Sequence, residues 1–205
     1  MAKAVEVFGA WARSGRDERM ANGHKEAVAH MLSYITKRQT SPFSAIDGGC
    51  GNGWVVRLLQ NHPDCRHAIG VDGAKDMITK AQSIDPEGHY IHADLMAWSP
   101  VTPVDVVHSM EVLYYFKEPT KMMQHMVSHW LKPGGLFIAG VDHYAENKPS
   151  LDWAEKTNID FMTTLSTEQW ADCCHSTGLI DVQTWAFAPK EDWAGTLIIT
   201  GKKPV

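Results

Sequence analysis

The sequence predicts an α/β fold: a seven-stranded, mostly parallel sheet with helices on both faces and an antiparallel hairpin at its C-terminal end. Three observations predict it. Short apolar runs alternate with segments of helical period from Ser44 to Val141, the order that builds a parallel sheet. A glycine-rich turn, Asp47-Gly48-Gly49-Cys50-Gly51-Asn52-Gly53, stands between the first run and the helix after it. Two late runs, Asp181 to Phe187 and Thr196 to Gly201, have only a loop between them, and such a pair is naturally antiparallel.

In chain order, Val5 to Lys37 is amphipathic, with a break near Ser14-Gly15. Ser44 to Asp47 reads as a buried strand and Trp54 to Gln60 as a helix. His67 to Asp72 is a second strand bounded by Gly73, and Lys75 to Ile84 carries helical spacing through Met77, Ile78, Ala81 and Ile84. His89 to Leu95 and Val104 to Met110 make the third and fourth strands. Thr120 to Leu131 is a helix stopped by Lys132-Pro133-Gly134-Gly135, and Leu136 to Val141 is the fifth strand. Thr167 to Ser176 is a last helix, ended by Gly178. One domain over residues 1–205 is expected: an N-terminal helical region (1–40), then the core (41–205) with a small insert near 144–165.

Composition narrows the function. The 205 residues are 44% hydrophobic, enough for a full core, and the formal net charge is -5 without a dense Lys/Arg block. Polyanion binding needs a basic footprint, so no nucleic-acid partner is expected. The four cysteines show no C-x-x-C spacing; Cys173-Cys174 reads as buried small apolar residues rather than a thiol nucleophile. The N-terminus lacks a secretory h-region, and no apolar stretch approaches the ~20 residues of a membrane span. No membrane partner is expected, and a cytoplasmic protein is the default. Among the 11 histidines only His125 and His129 have the i, i+4 spacing of paired ligands, and no Glu follows His125. No metal is expected.

Ligands of open α/β sheets bind at the carboxyl ends of the strands. An acid closes four of them here: Asp47, Asp72, Asp94 and Glu111. Glycines admit a ligand to the main chain, while Asp47 disfavours a pyrophosphate and favours a cationic ligand. Asp72, about 20 residues beyond the glycines, suits a ribose diol. Asp94 suits an exocyclic amine.

On these residues the chain resembles the class I S-adenosylmethionine-dependent methyltransferases. Asp47-x-Gly49-x-Gly51-x-Gly53 is similar to their first motif, Gly70-Val71-Asp72 to the second, and His92-Ala93-Asp94-Leu95 to the third. Asp105-Val106-Val107 through Met110, Glu111, Val112 and Leu113 resembles the fourth strand and its loop, and Leu131 to Gly135 the turn before the fifth. The resemblance implies S-adenosylmethionine as cofactor, with Asp47 on the ammonium, Asp72 on the ribose, Asp94 on the adenine amine and Leu95 on the ring. Gly73 departs from the pattern, standing where a hydroxyl residue is frequent, and Asn52 and Trp54 flank the last glycine.

The methyl acceptor is expected to be a small molecule. His143, with Asp142 beside it, is the first candidate for a general base. Glu111 and Tyr114 are its companions, Tyr114 and Tyr115 walling the methyl group with aromatic faces. Trp11, Arg16 and His24 of the N-terminal region are expected to line the site as a lid, and Trp153, Phe161 and Met162 give the insert the apolar character of a pocket wall. Two other functions stay open: a protein that holds the cofactor without transferring methyl groups, and a nicotinamide-dependent oxidoreductase. The latter is weakened by a G-x-G-x-G rather than a G-x-G-x-x-G turn.

Overall fold

The computed structural model describes residues 1–39 and 41–205. Two helices, α1 (Ala4–Ser14) and α2 (Arg16–Arg38), come first, joined at Gly15 with φ +74°. Alternation follows: β1 (Phe43–Gly48), α3 (Trp54–Gln60), β2 (Cys65–Asp72), α4 (Lys75–Ile84), β3 (His89–His92) and β4 (Val104–Met110). Then come α5 (Pro119–His125), β5 (Leu131–Val141), α6 (Trp153–Thr157), α7 (Thr167–Ser176), β6 (Ile180–Phe187) and β7 (Thr196–Lys202).

The seven strands lie in the order β3-β2-β1-β4-β5-β7-β6. All neighbours are parallel except β5–β7 and β7–β6. The chain winds outward from β1 to β3, then returns to place β4 on the other side of β1. That reversal leaves a crevice at the carboxyl ends of β1 and β4.

Side chains alternate along each strand, so each strand feeds two separate cores. On one face Ala45, Val106, Ile138 and Ile198 pack with Ala27, Val28, Met31 and Ile35, the apolar stripe of α2. On the other, Ile46, Val107, Phe137 and Ile199 pack with Met122, Met126, Trp130 and Trp170. Cys173 and Cys174 are buried in this second core, as small apolar residues should be.

Two elements differ from the sequence reading. The third strand stops at His92 rather than Leu95, because the Asp94 carboxylate accepts the Met96 N–H (2.9 Å) and its carbonyl accepts those of Ala97 and Trp98. This local turn competes with the ladder. The helix expected to Leu131 is α5 followed by a wide turn, Met126–Trp130. Leu131 already pairs with Val104, and the register slips before Leu136 pairs with Val106. The stop signal Lys132 to Gly135 is thus a bulge inside β5, with Gly134 at φ +75° bonded to the Lys203 carbonyl. The His125 ring bonds the Trp98 carbonyl at 2.7 Å.

Trp130 anchors this face. Its indole N–H donates to the same Trp98 carbonyl at 2.9 Å, and its ring presses against Gly48 of β1, where a Cβ would stand 3.0 Å away. Trp130→Ala is expected to lose about 3–5 kcal/mol of stability, measured by urea denaturation; a loss below about 1 kcal/mol would contradict this packing.

Candidate active site

A cavity of about 520 Å³ opens at the carboxyl ends of β1, β2 and β4. Its floor is the glycine turn, held by the Gly49 and Cys50 N–H groups on the Val71 carbonyl (2.7 and 3.1 Å). Gly49 has φ +77°, and a Cβ there would stand 2.2 Å from Val112. Gly51, at φ +53°, faces the cavity, with nothing nearer to a built Cβ than Met77 Sδ at 3.9 Å. Only glycine meets both demands.

Three carboxylates stand around that turn. Asp72 accepts the Gly51 N–H at 2.8 Å on one oxygen and the Ala74 N–H at 2.7 Å on the other. Burial, with the nearby charge of Asp47, nonetheless holds its pKa above the usual carboxylate value. Asp47, buried at the end of β1, accepts from His108 Nδ1 at 2.7 Å; the strand register sets these two residues side by side. The other nitrogen of His108 is buried and has no partner among the described residues. Asp94 and Leu95 complete this end.

The other end gathers Glu111, His24, Met20, Met110, Val112, Phe8, Tyr115 and Phe116. Glu111 sits at φ +60°, an uncommon conformation for a side-chain-bearing residue, and one found at functional sites. Its Oε1 accepts the Asp142 N–H at 2.5 Å and its Oε2 accepts the Tyr114 hydroxyl at 2.6 Å. His24 Nε2 lies 3.2 Å from Asp142 Oδ2 and 3.8 Å from Glu111 Oε2. Burial and the neighbouring charge of Asp142 push Glu111 up to about 8. Burial opposes the charge on His24, but the Asp142 hydrogen bond and the charges of Glu111 and Asp142 outweigh it, raising His24 to about 9. At neutral pH the site therefore keeps an imidazolium beside a Glu111 that is held largely protonated.

A methyltransferase-domain family model matches residues 16–184, most of the chain and all of the strand ends just described. The chain belongs to this family. Its fold is that of the class I S-adenosylmethionine-dependent methyltransferases. Among curated relatives, the trans-aconitate 2-methyltransferase of Azoarcus sp. (strain BH72) is 30% identical over 93 residues, covering 45% of this chain and 36% of the relative. That of Klebsiella pneumoniae (strain 342) is 28% identical over 124 residues, covering 60% and 48%. The chain thus spans less than half the length of these two relatives. A putative methyltransferase from Haloferax volcanii, solved with a methyltransferase activator, superposes with a TM-score of 0.81 at 27% identity, covering 100% of both chains. A Thermotoga maritima methyltransferase, a possible histamine N-methyltransferase, shares the fold at a TM-score of 0.71 and 17% identity, covering 96% and 99%.

Of the residues singled out in this family member's sequence, Asp47, Gly49, Gly51, Asp72, Gly73, Asp94, Leu95, Met110 and Glu111 all line the one cavity. Gly53 lies just behind it, capping α3. Other expectations need correction. His143 is buried off the cavity, its Nδ1 donating to the Ser150 carbonyl (2.9 Å) and its Nε2 bonded to the Thr164 hydroxyl (2.8 Å). With both nitrogens engaged and burial lowering its pKa, it is no base for this site, and Asp142 serves His24 instead. Tyr114 stands behind Glu111 as its donor, and Tyr115 is the tyrosine that faces the cavity. Trp11 packs on Ala74 and Met77, and the Arg16 guanidinium covers its ring at 4.1 Å; neither lines the cavity. The insert does not line the cavity: Trp153 stacks on Trp193, and Met162, partly buried, packs against the second core.

Asp17 and His108 were missed. Asp17 accepts from Asn52 at 2.7 Å and Lys80 at 2.9 Å, tying α2 to the glycine turn and α4. The signal was present: Asp17, Met20, Ala21 and His24 follow i, i+3, i+4, i+7 spacing and share one helix face, which lines the cavity. His108, inside an apolar strand, gave none.

Glu111 and His24 both bind protons more tightly in the folded chain. Folding stability therefore falls as pH rises, from 4.5 to about 8 for Glu111 and from 6.5 to about 9 for His24. Glu111→Gln removes the first slope. Its urea midpoint should fall less than that of the wild type between about pH 5 and about pH 8, and equal falls would contradict the assignment.

Proposed function

We propose that this chain transfers the methyl group of S-adenosylmethionine to a small-molecule acceptor bound at the Glu111–His24 end of the cavity. One observation carries the reading. A single cavity joins three strand-end carboxylates beside a glycine turn to a separate group of titratable and aromatic residues. The donor set fits the cofactor. Asp47 supplies negative charge for an ammonium, Asp72 keeps lone pairs for a diol, and Gly51 leaves its face open for close approach. When bound, the cofactor supplies an electrophilic methyl group on a positively charged sulfur.

The protein's own work is alignment, exclusion of water and proton handling. Orientation of donor and acceptor supplies ~7–11 kcal/mol of barrier reduction in favourable cases. Helices α1 and α2 act as the lid, laying Asp17, Met20 and His24 over the crevice. The hydrogen bond from His24 to Asp142 latches that lid across the ends of β4 and β5. Glu111, rather than His143, is the base. A carboxylate held near 8 is basic enough to take a proton, and its deprotonated, working fraction grows as pH rises toward that value.

A small acceptor accords with a cavity of about 520 Å³ that also has to hold the cofactor, and with a sequence that carries no dense Lys/Arg block for a nucleic acid. No helix among the described residues is long and apolar enough to cross a membrane. All four cysteines are free, which accords with a reducing, cytoplasmic setting.

Two measurements test the reading. Purified protein with the cofactor and a panel of thiols, amines, phenols and carboxylates should form S-adenosylhomocysteine with at least one class. Tight cofactor binding with no product from any would favour a non-catalytic cofactor-binding role. In calorimetry, Asp72→Ala should weaken cofactor binding by about 1.5–3 kcal/mol, roughly ten- to a hundred-fold in Kd. An unchanged Kd would remove Asp72 from the site.

A further inference from the structure

We propose that the acceptor is a cationic amine, methylated on nitrogen, with Glu111 as the base that removes its proton. This rests on the reading of the cavity as a methyl-donor site and adds the chemical class of the acceptor.

Charge carries the argument. Five carboxyl side chains line the cavity: Asp47, Asp72 and Asp94 stand at the cofactor end, Asp17 is on α2, and Glu111 stands at the acceptor end with Asp142 behind it. No lysine or arginine is among the described residues that line it. Lys80 reaches Asp17 from outside the lining, so its charge is already matched. The two histidines are committed as well. His92 bonds the Gly73 carbonyl at 3.2 Å, and His24 is held by Asp142. An anionic acceptor at the Glu111 end would meet the Glu111 and Asp142 carboxyl groups without the guanidinium or ammonium that carboxylate recognition uses.

An ammonium meets the opposite conditions. Phe8, Tyr115 and Phe116 wall the Glu111 end, and the Phe8 and Tyr115 rings meet edge-on at 5.2 Å. Aromatic faces and a carboxylate together stabilise a desolvated cation. Asp142 adds a second buried carboxylate behind Glu111, with one oxygen that has no partner among the described residues.

The proton balance also favours nitrogen. Alkylamines reach the site as ammonium ions and have no lone pair to donate. Glu111 takes one N–H proton, and the freed lone pair forms the N–C bond while the C–S electron pair leaves with sulfur. The products are a methylammonium, a neutral thioether and a protonated Glu111, which returns its proton to water. Once Glu111 holds the proton, one positive charge remains at the reacting centre and passes from sulfur to nitrogen, so the surrounding carboxylates lose no favourable contact as the methyl moves. With an alkoxide or carboxylate acceptor that charge is annihilated, and the acidic lining opposes the reaction. The groups facing Glu111 are His24 from α2, Asp142 after β5, and Tyr114 and Tyr115 from its own loop. His24 is the one cation among them, and it matches the charge of Asp142.

The test compares isosteres on the full chain. Phenethylamine, 2-phenylethanol and 3-phenylpropionate, with alkyl homologues of each and the tricarboxylate trans-aconitate, are titrated calorimetrically into the S-adenosylhomocysteine complex. The same compounds are then assayed with S-adenosylmethionine, the product mass and the methylated atom being read by mass spectrometry. The amines should bind at least about tenfold more tightly than the carboxylates, and product should form on nitrogen alone. Glu111→Gln should shrink that preference and lower kcat by about a hundredfold or more, with a smaller change in KM. Equal or tighter binding of the carboxylates, methyl transfer to oxygen in preference to nitrogen, or no binding of any amine overturns the proposal alone. A chain that fails to bind S-adenosylhomocysteine overturns the underlying reading as well.

Discussion

The hydrogen bond between His24 and Asp142 is the contact that ties α2 to the carboxyl end of the sheet. Parallel strands end at the same edge of a sheet, so the acids that close β4 and β5 are brought together by topology alone. Burying Glu111 and Asp142 side by side is costly unless a proton or a cation intervenes. His24 supplies the cation from a helix that precedes the sheet in sequence. The same contact settles the charge of the strand ends, seats α2 across the crevice and gives the cavity its far wall.

The near wall is built by a different economy. Asp72 is fixed by two backbone N–H groups and Asp47 by His108, so each carboxylate is oriented before any ligand arrives. Preorganised charge of this kind costs no reorganisation on binding. Asp17 joins the two walls: its carboxylate reaches Asn52 of the glycine turn while its helix carries His24 two turns later. The cavity is consequently acidic at both ends, oriented at one and proton-buffered at the other.

Much of this was legible in the sequence. Period-2 and period-3.6 patterns gave α3, α4, β4 and α7 to the residue, and the Ser14-Gly15 break fell where α1 turns into α2. The strand-end acids were readable because parallel topology turns sequence order into spatial convergence. Boundaries slipped where local hydrogen bonds outcompeted the ladder, at Asp94, or where a bulge kept a proline and two glycines inside β5. In the site, position relative to a strand end was a good guide and side-chain direction was not. His143 stands one residue beyond Asp142, yet its ring turns into the insert, toward Ser150 and Thr164. The His24–Asp142 pair spans 118 positions, and no local pattern announces such a contact.

A crystal structure of the chain with S-adenosylhomocysteine tests the central claim most directly. The account predicts the nucleoside between Asp72 and Asp94, the amino-acid portion against Asp47 and the glycine turn, and the sulfur directed at Glu111 with His24 still on Asp142. A ligand bound elsewhere would contradict it. So would a cavity that admits the ligand only with α2 withdrawn and His24 detached from the strand ends.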